Sequence, residues 1–352
     1  MEKGTMKLSR ICEAILAATN LSGMAGLAVG IMAGDEICTG ARGYRNIESG
    51  ELMDADTIFH CASISKTFTS TAVMKLVEEG KLRLDDKLVD VLPYLSIADK
   101  RCQKIEINHM LSHISGLQDA GELGWKAGLT SADALKNYAF ADEVTDRPML
   151  GEPGNCTPMY SDMAYDLLGL VVQEVSGQPF ETYIKENFFD PAGMKDTTFL
   201  TFERTGGSLS LEDIDKAKIA MPHVKDADGK IVLESMFPYT RQHAPSSTLT
   251  SNVSDLLKWG RYNLDKKAVS ADSYEKMWTE RVNIPDKFAM MGMGWFIRHE
   301  NGHMFVGHEG GDDGFRTSFW TCPECDAALV ILANTTEAPI EPLTESFCMD
   351  IE

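Results

Sequence analysis

The sequence predicts an α+β protein: one antiparallel sheet flanked by helices, built from both chain ends, with a mainly helical lobe inserted between them. Three observations carry this expectation. Strand-like runs fall near both ends of the chain, the middle is mostly helix and long loop, and 352 residues are enough for two lobes. The expected division is a sheet lobe from 1–80 and 245–352, with 81–244 as the helical lobe.

Taken in order, Ile11–Ala18 carries Glu13 within a short apolar run, the pattern of an amphipathic helix rather than a signal peptide. Gly26–Ala33 and Glu36–Tyr44 have strand composition and are joined by the Ala33-Gly34-Asp35 turn. Ser63–Glu79 places Phe68, Ala72 and Leu76 at helical spacing, and Gly80 stops it. The middle contains helices over Tyr160–Ser176 and Phe180–Phe189, and a hairpin around Asp226–Gly229. Strands then return at Gly292–His299, His303–Gly307, Phe315–Thr321 and Ala327–Asn334, and a short helix from Glu341 closes the chain.

A net charge of −20 argues against nucleic acid or an anionic membrane as partner, since both attract basic patches. The plain reading of the acidity is solubility. No stretch approaches the ~18 apolar residues of a membrane span, so a cytoplasmic location is expected. The eight cysteines are scattered, which suits reduced thiols. Cys322-Pro323-Glu324-Cys325 resembles half a zinc knuckle or a redox pair, but it lies between two strands and is expected to form a hairpin turn. No second Cys-x-x-Cys completes a four-ligand site, so no metal and no cofactor is expected.

The chemistry concentrates at Ser63-Ile64-Ser65-Lys66. Residues i and i+3 share a helix face, so the Ser63 hydroxyl and the Lys66 amine can meet. A serine becomes a useful nucleophile when a neighbouring base takes its proton. Its backbone N–H in a first helical turn lacks an intrahelical partner and can face an oxyanion. The pattern alone does not decide, because Ser273-Tyr274-Glu275-Lys276 repeats it in what reads as a capped surface helix. Tyr160 and Asp162 flank Ser161, a plausible N-cap; Tyr160 can shuttle protons beside an ammonium or simply pack at the helix start. Gly307-His308-Glu309-Gly310-Gly311 is the densest glycine cluster. It offers either close backbone approach for a substrate, with His308 orienting it, or a polar loop with a surface histidine. His109 and His113 have i, i+4 spacing without the glutamate of a metalloprotease, which leaves His113 a structural role.

In sequence order these elements resemble the serine β-lactamase and penicillin-binding-protein superfamily, and most closely its class C-like branch of esterases and D-aminopeptidases. Ser63-Ile64-Ser65-Lys66, Tyr160-Ser161-Asp162 and His308-Glu309-Gly310 are similar to its three motifs. Ile105–Asn108 with Met110–Leu117, Tyr165–Leu170 and Leu249–Leu256 are similar to other recurrent stretches, so the likeness runs from about Gly26 to Asn334. The resemblance implies a β-lactamase/transpeptidase-like fold. It also implies acylation of Ser63, proton transfer by Lys66 and Tyr160, and an oxyanion hole from the backbone N–H groups of Ser63 and Gly311. Two positions depart from the pattern. Asp162 stands where asparagine is usual, and if it reaches Lys66 it favours the ammonium and shifts proton transfer toward Tyr160. His308 replaces the usual lysine and removes a fixed charge for a substrate carboxylate. Together they favour a serine hydrolase of small neutral or cationic esters or amides, and poor β-lactam turnover. The alternatives are a D-amino-acid peptidase or amidase, an acyltransferase, and a covalent β-lactam-binding sensor. Loops Gly121–Gly128 and Arg241–Ser247 are expected to wall the pocket.

Overall fold

The computed structural model describes residues 3–119, 133–199, 218–234, 240–285, 287 and 289–351, so the expected Gly121–Gly128 wall lies outside the described residues. Nine strands form one antiparallel sheet: β1 (Gly26–Ala33), β2 (Glu36–Asn46), β3 (Glu51–Leu52), β4 (Val282–Asn283), β5 (Met290–Met291), β6 (Phe296–Glu300), β7 (His303–Asp312), β8 (Phe315–Cys322) and β9 (Ala327–Ala333). Their spatial order is β3-β2-β1-β9-β8-β7-β6-β5-β4. The first hairpin and the C-terminal meander therefore meet where β1 pairs with β9, in the register Val29↔Ile331. This is the predicted α+β arrangement of a sheet drawn from both chain ends.

The central strands are continuous apolar runs because both sheet faces are covered. Leu27, Val29 and Ile31 of β1 join a core with Leu8, Ile11 and Ile15 of helix α1 (Lys3–Ser22) and with Phe347 near the C-terminus. Ala28 and Met32 face the other way, into the larger core with Leu257 and Trp259. Gly30 lets that side close, since a Cβ there would lie 3.0 Å from Leu257 Cδ1 and 3.1 Å from Val253 Cβ. Helix α2 (Ser65–Glu78) runs through this core, and residues 64–74 are all buried. Helix α3 (Asp162–Ser176) packs beside it.

Several boundaries differ from expectation. The strand expected from Gly292 starts at Phe296, because Gly294 takes φ +74° in a turn. Strand β7 continues to Asp312, so the glycine cluster is sheet rather than loop. Among the described residues, no helix is long and apolar enough to cross a membrane. The cysteine expectation also changes at one place. The β8–β9 turn does contain Cys322 and Cys325, as predicted, but it joins them as a disulfide while the other six cysteines are free.

Candidate active site

Ser63 sits one step earlier than a simple helix start would place it. Residues Ala62–Ile64 form a short 3-10 turn, and α2 begins at Ser65. Ala62, immediately before Ser63, has φ +47°. A non-glycine residue held there costs on the order of 1–3 kcal/mol, and such strain is common where a side chain must be presented. Its effect here is visible in burial. From Thr57 to Met74 every residue is buried except Ser63. Nothing in the sequence signals this strain.

Behind the serine, Lys66 is fully buried and all three of its N–H donors are engaged. Its Nζ donates to Ser63 Oγ at 2.9 Å, to Asp162 Oδ1 at 2.5 Å and to the Ser246 carbonyl at 2.8 Å. Asp162 reaches Lys66 because it opens helix α3, where the Ser161 hydroxyl caps the Ala164 N–H. Asp119 steadies this corner by accepting from Ser161 Oγ and Met163 N. Burial opposes the Lys66 charge, but Asp162 and Tyr160 outweigh it and hold the ammonium above its ordinary pKa.

Tyr160 packs its ring between neighbours, 4.5 Å from the His113 ring and 4.7 Å from Lys66 Nζ. Its hydroxyl is buried without a hydrogen-bond partner of good geometry, yet lies within the electrostatic influence of Lys66 and Ser63. Burial pushes the phenol up to about 12, and the Lys66 charge offsets this only in part. His113 has the structural role expected of it. Its Nδ1 accepts from Ser161 N at 3.0 Å, which fixes the corner carrying Tyr160 and Asp162.

His308 is buried, not a surface histidine. Its Nδ1–H donates to the Glu309 carbonyl at 2.6 Å, and its ring lies 6.0 Å from that of Tyr160. Burial and the nearby Lys66 charge hold it far below the usual histidine range, so it is neutral at pH 7. Among the described residues its Nε2 is a buried acceptor without a partner.

Strand β6 pairs with β7 only as far as Gly307, so among the described residues no strand pairs with that edge of His308–Asp312. The Ser63 turn packs against it. Gly310 has a further reason beside the one expected. A Cβ there would lie 2.2 Å from Thr317 Oγ1 and 2.4 Å from the Cys61 carbonyl, so the missing side chain makes room for the turn that carries Ser63. Thr317 Oγ1 donates to the same carbonyl at 2.9 Å. Gly310→Val is expected to push turn and strand apart, costing about 1–3 kcal/mol in urea unfolding together with lost activity. An unchanged midpoint would contradict this packing.

The competing motif has no such surroundings. Ser273 Oγ donates to Glu78, Lys276 pairs with Asp272 at 2.6 Å, and Ser270 caps that helix. Three participants escaped the sequence reading: Asp119, the Ser246 carbonyl and Lys287. Ser246 does fall in the expected Arg241–Ser247 wall. Lys287 is an exposed cation whose Nζ lies 5.1 Å from the centre of the Tyr160 ring.

An antiparallel sheet covered by helices on both faces is the fold of β-lactamases and transpeptidases, and solved structures bear this out. The octameric penicillin-binding protein homologue from Pyrococcus abyssi matches with a TM-score of 0.80 at 25% identity, over 96% of this chain and 76% of that one. A D-amino acid amidase from Ochrobactrum anthropi SV3 matches with a TM-score of 0.80 at 20% identity, over 97% of this chain and 98% of that one. The beta-lactamase family profile matches residues 14–344, and the chain belongs to that family. Among curated relatives, penicillin-binding protein 4 of Amycolatopsis lactamdurans is 26% identical over 327 residues, covering 88% of this chain and 80% of that protein. Protein flp of Staphylococcus aureus (strain MW2) is 25% identical over 311 residues, which is 86% of this chain but only 58% of flp.

Proposed function

We propose that the protein is a serine hydrolase that cleaves small esters or amides through an acyl-enzyme at Ser63. The observation that carries this is the allocation of donors around the serine. Lys66 spends all three N–H groups as a donor, one of them on Ser63 Oγ, whereas the buried Tyr160 hydroxyl, beside Lys66 and Ser63, makes no hydrogen bond of good geometry among the described residues. In this reading Lys66 is the fixed positive charge and Tyr160 is the base. As Ser63 Oγ attacks the acyl carbonyl, its proton passes to Tyr160 and then to the leaving group. Water repeats the sequence in reverse, giving the free acid and restoring Ser63. The N–H groups of Ser63 and Gly311 are the oxyanion donors, favoured by the first-turn position of one and, at the other, a strand edge with which no described strand pairs.

The substrate preference follows from charge. Asp162 places an anion behind the nucleophile, and His308 is neutral, so uncharged esters and amides with a free amine are favoured over carboxylates. The scattered free cysteines suit a reducing cytoplasm as the working compartment. A second reading, carboxylate-bearing substrates such as β-lactams, is favoured by Lys287, which supplies a cation near Tyr160. Paired assays with neutral p-nitrophenyl esters, D-aminoacyl amides and carboxylate-bearing analogues separate the two. The first reading predicts higher kcat/KM for neutral or cationic substrates. A carboxylate preference that disappears in Lys287→Ala would replace it with the second.

The pH dependence has a definite sign. Tyr160 acts as its phenolate, which is scarce at neutral pH because the group is raised to about 12. kcat/KM is therefore expected to climb with pH through the neutral range. Asp162 is among the charges holding both Tyr160 and Lys66 protonated. Asp162→Asn removes that charge and is expected to move the rising limb to lower pH. A limb that stays in place, or moves upward, would contradict Tyr160 as the base.

A further inference from the structure

At the opposite end of β7 from the catalytic residues, two hairpin turns bring three metal-binding side chains together. His303 begins β7, after the turn from β6, and Cys322 and Cys325 bracket the turn from β8 to β9. One ligand atom from each of the three lies within 4.8 Å of the others. We propose that the reduced Cys322–Cys325 dithiol and His303 form a binding site for a thiophilic divalent cation of the zinc class.

The chemistry of the donor set points to such an ion. Two sulfurs and one imidazole suit zinc, which binds thiolates at about 2.3 Å and imidazole at about 2.0–2.1 Å in a tetrahedron. Ligand atoms in that geometry stand roughly 3.5–3.8 Å apart, so the bonded sulfurs part on reduction while a His303 nitrogen already lies within 4.8 Å of both. The turn also engages its first sulfur, since the Cys325 backbone N–H donates to Cys322 Sγ at 3.2 Å. Glu324, between the cysteines, lies beside the cluster with Oε2 3.6 Å from His303 Nδ1, and the Met304 N–H holds the same oxygen at 2.8 Å. That carboxylate can take the fourth position or orient the imidazole. The missing second Cys-x-x-Cys is thus no obstacle, because the third ligand comes from the neighbouring hairpin.

The disulfide and the metal site are exclusive states of one turn. A thiol or phosphine reductant supplies two electrons and, with two protons from water, converts the disulfide to two thiols. The cation then binds both sulfurs as thiolates and releases the two protons to solvent. Bound metal would tie the β6–β7 turn to the β8–β9 turn. His303 is five residues from His308, roughly 17 Å along an extended strand, so this site is separate from Ser63.

The test is cobalt(II) titration of the full chain after phosphine reduction and removal of the reductant. The expected result is one equivalent bound per chain, with thiolate-to-cobalt charge-transfer absorption and tetrahedral d–d bands, and with zinc displacing cobalt. Cys325→Ser should lose the charge-transfer band. His303→Ala should weaken binding by at least about tenfold, since changes to groups merely supporting a ligand already cost ~10–100-fold. Cys12 and Cys38, which neighbour each other elsewhere, remain in both variants and control for other thiol sites. Covalent labelling at Ser63 should persist in both, showing that they are folded. The proposal is overturned if reduced wild-type protein gives no thiolate band, if the band survives Cys325→Ser, or if His303→Ala binds as tightly as wild type.

Discussion

Ser63→Ala is expected to reduce turnover of every substrate by roughly 10⁴-fold or more, because it removes the atom that forms the covalent bond in the proposed acyl-enzyme. The fold should survive. Ser63 is the one half-buried member of an otherwise buried run, and Lys66 keeps its bonds to Asp162 and the Ser246 carbonyl. The thermal midpoint should therefore change little while the rate collapses. Ser273→Ala is the matched control. Its hydroxyl serves only to bond Glu78, so the rate should stay within about twofold of wild type, with any cost confined to stability. A Ser63→Ala enzyme that keeps substantial turnover would point to a different nucleophile or to direct attack by water.

Lys66→Met is expected to lower kcat by about 10²–10⁴-fold, the usual span for losing a group that governs proton transfer. The loss has three parts. Ser63 Oγ loses the donor that polarises it, Asp162 loses its partner, and Tyr160 loses the nearby cation that lowers its pKa. The pH profile must therefore move in a stated direction. Without Lys66 the phenol becomes harder to ionise, so the rising limb of kcat/KM shifts to higher pH. Asp162→Asn should shift it to lower pH. Opposite movements from two residues in contact are hard to obtain from general destabilisation, which would lower the rate without displacing the limb. Asp162 keeps its side chain 32% exposed, so water can solvate it once the lysine is gone and the variant should remain folded.

Much of the fold was legible because local pattern and burial agree. Strand β9 (Ala327–Ala333) is buried along its whole length and is equally apolar in sequence, and β1 pairs with it as two unbroken hydrophobic runs should. The boundaries that escaped depend on backbone conformation. Gly294 turns the chain where apolar residues suggested continued strand, and β7 runs on through glycines for which the sequence left strand edge and polar loop both open. In the site, Ser63 and Lys66 could be paired by helical spacing, and Asp162 by its place at a helix mouth. The Ser246 carbonyl could not, since a backbone group carries no residue signature and lies 180 positions from Lys66. Nor could the strain at Ala62, where the side chain gives no hint of φ +47°. Gly310 was noticed for a plausible reason to which the packing adds another: its missing side chain accommodates the Cys61 carbonyl.

The most direct test of the acyl-enzyme is intact-mass measurement after acid quenching of the protein with a short p-nitrophenyl ester, followed by peptide mapping. The account predicts a single acyl addition on the peptide containing Ser63, appearing with the initial burst of p-nitrophenol and absent in Ser63→Ala. An adduct on another residue that persists in Ser63→Ala, or turnover with no adduct at any quench time and undiminished by that substitution, would contradict it.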